Sequence, residues 1–427
     1  MADYSRQAAI FDQAVLRNSK IAVVGSGNTT DFFLLYAAGL GIGNILLFNK
    51  GESGFLKKDY SLISRINSDV NLETVNSGFE PAFIGKIGAL ADFTNDKTSK
   101  KAALNYCAKN NAGLFVSSSP LETIYSPFIL SSLLWKPSIE NSPMPFSAGL
   151  KAAIALDEIR KALLPLPGDE TLPGRLYFGI FSKRRFFEKQ SLVESISRNY
   201  PASKAGRALI IGAGGIGTYV ALNLALLGIP MEIYDGDKIE PTNLNRQVFY
   251  YDAIGKNKAK VLKENLEALV NADIKANSFN FEEKHGKKAG YSAVFSCVDS
   301  WPARKILNAY ALKNNIPLID AGVGPFTARL DVCNKNACLE CRRGKREEKP
   351  SAGGCASLQE SNVVMCNAFI GAMAAAEFYA MQMSRENKGR QLLYFSKKSL
   401  KEKVCLLETE TQCSESCECP CHGVKNA

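Results

Sequence analysis

One kind of unit occurs twice in this chain, and that repeat restricts the fold more than any other feature. The first copy opens with an apolar strand at 21–24, followed by Gly25-Ser26-Gly27, a helix-like stretch and a second strand at 45–48. The second copy opens with 208–211, followed by Gly212-Ala213-Gly214-Gly215-Ile216-Gly217, a helix to Leu227 and a strand at 231–234. Further on, TSKKAALNYCAKNNAGLFV in the first half matches PARKILNAYALKNNIPLID in the second. Each half then closes on a small-residue helix and a short strand: SAGLKAAIALDEIRKAL with GRLYFGIF, and NAFIGAMAAAEFYAMQM with RQLLYF. Such self-similarity marks one structural plan used twice. Short apolar strands alternating with helices predict an α/β fold, with a mostly parallel, helix-flanked sheet in each half. The polar stretch from Glu188 to Arg207 is the expected boundary, which places the domains at 1–190 and 191–427.

A chain of 427 residues is long enough for two or three domains, each with its own core. Apolar residues make up 46% and charged residues 22%, which excludes a disordered or fibrous class. The start, MADYSRQAAIFDQ, has no basic patch leading into an apolar run, so no signal peptide is expected. Residues 363–383 are long enough to span a bilayer but contain Asn367 and Glu377 among Ala, Gly and Met. A buried helix is the better reading, and a cytoplasmic protein with no membrane partner is expected. The net charge of +10 favours anionic ligands such as nucleotides, although a solvated basic surface explains it equally well. The run RRGKREEK is too short and too mixed in sign to indicate nucleic acid.

The chemistry concentrates in the second half. Gly212, Gly214, Gly215 and Gly217 lie between a predicted strand and a predicted helix. There they permit a tight turn and close backbone approach to phosphate, with helix N–H groups as donors. Asp235 ends the next strand, where a carboxylate can take ribose hydroxyls. On these residues alone an NAD-dependent dehydrogenase is the default. The residues that follow change that reading. Asp235-Gly236-Asp237 leads to Asn243-Leu244-Asn245-Arg246-Gln247, then Gly255-Lys256-Asn257-Lys258-Ala259, then Cys297-Val298-Asp299. This series closely resembles the ThiF/MoeB and ubiquitin-activating adenylation family over most of residues 205–427.

The resemblance implies two tandem Rossmann-like adenylation domains forming a pseudo-dimer, with ATP and Mg2+ as cofactors. It implies that Asp235 holds the ribose with Asp237 beside it, that Asn243, Arg246 and Lys258 bind the phosphates, and that Asp299 organises magnesium and the α-phosphate. A fixed Arg and Lys also suit attack of a carboxylate on phosphorus, which concentrates negative charge. Hydride transfer needs no such cluster. The first half resembles the same family in degenerate form: Gly25 and Gly27 remain, but Asn28 and Thr30 replace the later glycines and Asn49 stands where an aspartate should end the strand. The stretch Thr94 to Asp96 offers no clear counterpart of Asp299. Tyr4-Ser5-Arg6-Gln7 is similar to the family's N-terminal arginine motif, which implies that Arg6 reaches the second half's ATP site. An ordinary exposed terminal arginine is the alternative.

The chain has twelve cysteines, five of them between Cys405 and Cys421. In a large intracellular chain that density argues for metal or catalysis over disulfides. Cys338 and Cys341 form a C-x-x-C whose thiolates can converge on one Zn2+. The family resemblance places the other two ligands near the C-terminus, at Cys419 and His422, with Cys417 and Cys421 as competitors. Cys355, in Gly353-Gly354-Cys355, stands in a segment where some relatives carry a functional cysteine. Upstream Arg342, Arg343, Lys345 and Arg346 would favour its thiolate. A surface thiol, a spare zinc ligand or a packed thiol are the alternatives.

The expected function is ATP-dependent adenylation of the C-terminal carboxylate of a ubiquitin-like or sulfur-carrier protein ending in glycine. Transfer through a cysteine can follow. The alternatives are adenylation of a short peptide, as in microcin maturation, and a non-catalytic scaffold that holds such a protein. Pairing of the two halves within one chain is expected, and further dimerisation is open.

Overall fold

The computed structural model describes residues 3–51, 54–94, 96–119, 122–125, 144–172, 175–178, 186–187, 206–286, 290–343, 362–384, 389–398 and 404–407. Two eight-stranded sheets lie in succession along the chain. The first contains β1 (Lys20–Val24), β2 (Asn44–Phe48), β3 (Asn71–Val75), β4 (Ala89–Asp92), β5 (Gly113–Ser119), β6 (Glu122–Tyr125), β7 (Arg175–Phe178) and β8 (Phe186–Phe187). The second contains β9 (Arg207–Ile211), β10 (Met231–Tyr234), β11 (Ile274–Asn277), β12 (Tyr291–Ser296), β13 (Leu318–Val323), β14 (Thr327–Cys333), β15 (Arg390–Phe395) and β16 (Val404–Leu407). Their spatial orders are β3-β2-β1-β4-β5-β6-β7-β8 and β11-β10-β9-β12-β13-β14-β15-β16. The second order repeats the first, strand for strand. In each sheet the first five strands pair in parallel and the last three add antiparallel. The expected boundary at 190 lies outside the described residues.

The helices are α1 (Ser5–Ala8), α2 (Gln13–Asn18), α3 (Asn28–Leu40), α4 (Ser61–Ile66), α5 (Lys97–Asn110), α6 (Pro145–Leu163), α7 (Gly215–Leu226), α8 (Lys258–Leu269), α9 (Trp301–Lys313), α10 (Leu339–Arg343) and α11 (Val364–Ser384). Their starts are legible in sequence. Asp96, Asn257 and Ser300 each accept a backbone N–H from the first turn of α5, α8 and α9, satisfying donors that no intrahelical carbonyl reaches.

Each half has a hydrophobic cluster of its own, around Phe48 and Phe79 in the first and around Tyr234 and Tyr310 in the second, but a third is shared. The largest hydrophobic cluster runs through both halves, from Phe11 and Leu16 to Leu392 and Tyr394. At its centre α3, α6, α7 and α11 pack on one another. α3, α7 and α11 are apolar on nearly every face, and α6 buries its charged residues as well, pairing Arg160 with Asp157 and Lys161 with Glu158, so mutual burial is the solution available. Tyr36 of α3 meets Tyr219 of α7 edge to face at 5.2 Å, a contact between the halves. Residues 364–383 are long and apolar enough to cross a membrane, and here they are wholly buried inside the protein. Polar ties add to the join: buried Asp157 of α6 accepts from Tyr394 at 3.0 Å and from Ser396 at 2.6 Å.

Candidate adenylation site

The site is built at the C-terminal ends of β9, β10 and β12, where the sheet's strand order reverses direction around β9. After β9 the chain turns at Gly212 with φ +94°, a conformation that favours glycine. A Cβ at Gly212 would lie 2.7 Å from the Cys297 carbonyl oxygen, and one at Gly217 would lie 1.9 Å from the Gly212 carbonyl oxygen. A Cβ at Gly215 would meet the Asn367 side chain of α11 at 2.4 Å. These three glycines are therefore packing requirements. Gly214 differs: a Cβ there would meet nothing within 4 Å. The turn is open to a ligand at Gly214, directly before the N-terminus of α7, where backbone N–H groups and the helix dipole favour a phosphate.

In the first half a Cβ at the matching glycine, Gly27, would likewise meet nothing within 4 Å, but there the chain packs against the start of the following helix. Gly27, the cap of α3, is the counterpart of Gly214. A Cβ on Gly54 would come within 2.5 Å of the Gly27 carbonyl carbon and 2.7 Å of the Asn28 nitrogen, so the loop already lies against the turn. Phe55 donates its N–H to Asn28 Oδ1 at 3.2 Å, and Leu56 donates to Asp31 Oδ2 at 2.7 Å. The Phe55 ring packs on Phe32 at 4.9 Å. Burial pushes the Asp31 carboxyl up to about 7. Asn49 donates to the Tyr60 hydroxyl at 2.7 Å, so it too serves local packing.

Asp235 directly follows β10 and is buried. Its two oxygens accept the N–H groups of Ala213 at 2.6 Å and Asp237 at 2.8 Å, which pins the glycine turn to the next strand. Burial raises its pKa against those hydrogen bonds. Asp237 pairs with Lys258 Nζ at 2.9 Å, and Asn257 caps α8 while donating to the Asp235 carbonyl oxygen at 2.8 Å. Lys258 and Asp237 thus stand together at the rim. Asn243 has a structural part as well: its Oδ1 accepts the Glu240 N–H at 3.0 Å, in a capping box around the turn at Pro241–Asn243. That turn presents Arg246, whose guanidinium donates to the Thr242 carbonyl at 2.6 Å and to Asn245 Oδ1 at 3.1 Å.

Arg246 is mostly buried, and burial first and the charge of Arg6 second bring its pKa down to about 10. Arg6 of the first half is thus near enough for its charge to act on Arg246 of the second. Its neighbour makes the join: fully buried Gln7 donates to the Leu40 carbonyl at 2.9 Å and accepts from Asn245 at 3.3 Å. Tyr219, which donates to the Arg246 carbonyl oxygen at 2.8 Å, was not singled out by sequence, and neither was Asn257. Tyr250, which donates to the Ala213 carbonyl, is a third such residue.

Asp299 is exposed in the turn between β12 and α9. That turn lies beside the glycine turn, because the Cys297 N–H donates to the Ile211 carbonyl at 2.9 Å and Gly212 abuts Cys297. An exposed carboxylate in a turn beside the glycine turn has the hard oxygen donors that Mg2+ takes, and helix N–H groups with a guanidinium are the donors that a polyphosphate takes.

Cys338 and Cys341 face each other with sulfurs 3.5 Å apart. Two corners of a tetrahedral zinc site with about 2.3 Å bonds lie about 3.7 Å apart, so this pair fits zinc. Among the described residues no group of three or more His, Cys, Asp or Glu side chains is placed to hold a metal. Cys419, His422, Cys417, Cys421 and Cys355 lie outside the described residues.

Comparison with known proteins identifies the family. Residues 196–419, more than half of the chain, match the ThiF family. The SUMO-activating enzyme subunit 2 of Dictyostelium discoideum is 33% identical over 148 residues, covering 32% of this chain and 22% of that protein. The NEDD8-activating enzyme E1 catalytic subunit of Caenorhabditis elegans is 31% identical over 162 residues, covering 34% and 38%. The adenylyltransferase and sulfurtransferase MOCS3 of Caenorhabditis briggsae is 26% identical over 215 residues, covering 48% and 53%. The chain thus spans from about a fifth to about half of these relatives' lengths. A crystal structure of E. coli MccB with ATP is 25% identical, with a TM-score of 0.42, covering 51% of this chain and 68% of that one. With its second sheet built around an open glycine turn and the family match lying over that half, this chain belongs to the ThiF family.

Proposed function

We propose that the second half adenylates the C-terminal carboxylate of a ubiquitin-like or sulfur-carrier protein, using ATP. The observation that carries this is the glycine turn at Gly214, whose helix start no loop among the described residues packs against, together with Asp235, Arg246 and Asp299 in the segment matching the ThiF family. In the reaction a carboxylate oxygen of the carrier attacks the α-phosphorus, the bond to the bridging oxygen breaks, and pyrophosphate leaves. The α7 N-terminus and Arg246, with Arg6 beside it, offer fixed positive potential where negative charge grows. Asp235 anchors the turn and offers its remaining lone pairs to the ribose. Mg2+, bound with the nucleotide and Asp299, supplies charge neutralisation on the phosphates.

The first half serves this site from outside. Its own glycine turn is covered by residues 54–56, so one ATP per chain is expected. Calorimetry on the wild type should give one site, and Asp235→Ala should remove it, whereas Asn49→Ala should leave it. Labelled pyrophosphate should exchange into ATP only when a glycine-ending carrier is added. Two equivalent ATP sites, or preference for NAD over ATP, would overturn this reading. Exchange driven by a short peptide and by no carrier would reassign the substrate.

Cys355 is the proposed acceptor after adenylation. Its thiolate would attack the acyl carbonyl, forming a C–S bond as AMP departs. Cys355→Ala should keep pyrophosphate exchange near the wild-type rate and abolish any conjugate with the carrier that reducing agent cleaves. Persistence of that conjugate on a non-reducing gel would assign the step to another cysteine.

A further inference from the structure

A buried carboxylate beside the site gathers three arginines from three elements. Asp320 on β13 is fully buried. It accepts from Ser296 at 2.7 Å, from Arg304 of α9, from Arg329 of β14 at 2.9 Å and from Arg343 of α10 at 2.6 Å. So many donors are what a buried charge requires. Arg304 does a second thing: its Nη2 donates to the carbonyl of Val298, the residue before Asp299. The rigid guanidinium fork therefore runs from the Asp320 carboxylate to the backbone of the turn that carries Asp299.

The first half shows the same position without an open site. Lys100 lies four residues beyond the cap Asp96, as Arg304 lies four beyond the cap Ser300. Its ammonium pairs with Asp92 at 3.3 Å. Asp92 corresponds to Ser296, since their register partners on the first strands are Val24 and Ile211. The strand position matching Asp320 is Val116. The carboxylate has moved one strand over, and Asp92 holds the turn itself, accepting the Thr94 N–H and hydroxyl at 2.8 Å each. An ion pair under this turn is common to both halves. The forked arginine that grips the turn's backbone belongs to the half with the open glycine turn.

We infer that Arg304, held by Asp320, is a positioning residue for adenylation, setting the Val298 backbone and so the direction of the Asp299 carboxylate. This rests on the role proposed for Asp299. The test is Arg304→Lys in the full chain, with Asp299→Ala alongside. Lysine is accommodated at the matching place in the first half, but an ammonium does not reproduce the fixed fork. Backbone amides at 298–300 should exchange hydrogen roughly tenfold faster, an effect independent of turnover. The kcat of pyrophosphate exchange should fall about tenfold and half-activation should need more Mg2+, with the ATP KM and Tm near wild type. Wild-type protection and kinetics in Arg304→Lys, with Asp299→Ala inactive, would overturn the positioning role and leave the adenylation reading standing. Loss of activity in proportion to unfolded protein, with an unchanged Mg2+ curve, would overturn it equally. Full activity of Asp299→Ala would remove both. If Arg304→Lys melts far below the wild type, Ser296→Ala takes its place, removing one donor to Asp320 and no charge. The same pattern is then expected at smaller size, and unchanged amide protection overturns the proposal.

Discussion

Asp299→Ala should lower carrier-dependent pyrophosphate exchange roughly a hundredfold or more while leaving the fold intact, because a group that positions Mg2+ is worth several kcal/mol in the transition state. The separation of effects follows from the turn's construction. The cap of α9 is Ser300, whose hydroxyl accepts the Ala303 N–H at 3.4 Å, and the turn backbone is held by Arg304. Asp299 itself is exposed. An exposed substitution outside such contacts changes stability by about 0.5 kcal/mol or less, so Tm should stay near the wild type. Exchange rates and a melting curve on the same preparation check both halves of the statement. An unchanged exchange rate would remove Asp299 from the mechanism, whatever happened to Tm.

Arg6→Ala should slow adenylation by roughly ten- to a hundredfold, less than the thousandfold reached where a single arginine carries the transition-state charge, because Arg246 shares the load. In the protein without nucleotide, Arg6 and Arg246 are like charges near one another, and each disfavours the other. A polyphosphate between them turns that repulsion into two attractions. The variant should therefore melt close to the wild type on its own but gain less from added ATP, since ligand stabilisation scales with affinity. Thermal shift with and without ATP, beside exchange kinetics, measures this. Deleting the first ten residues is a poorer test, because it also removes buried Gln7 and its hydrogen bonds to Leu40 and Asn245. Wild-type exchange rates in Arg6→Ala would confine Arg6 to the surface.

Much of the site was legible because it is local. Gly212 to Gly217 and Asp235 act within a few residues of themselves or across one strand crossover, and such spacings are visible in a string of letters. The alignment of the two halves even set Lys100 opposite Arg304 and Val116 opposite Asp320. It did not show their use, because the clamp depends on β13 lying next to β12. Lys258 and Asn243 were legible as neighbours of the site. Their partners, Asp237 and Glu240, add a structural part to the phosphate-binding one the motif implied.

The sequence by itself determined the repeated α/β plan and the half that carries an intact glycine turn, since periodicity and glycine conformation are short-range physics. Only the tertiary structure decided three other things. The halves share the largest hydrophobic cluster, because four mostly apolar helices bury their faces against each other. The first glycine turn is closed by residues 54–56, because the path of a loop is set by what it packs on, here Asn28, Asp31 and Phe32. The charge of Arg6 acts on Arg246, 240 positions away in the numbering, because the packing of α1 through Gln7 onto Asn245 brings the N-terminus to the second half.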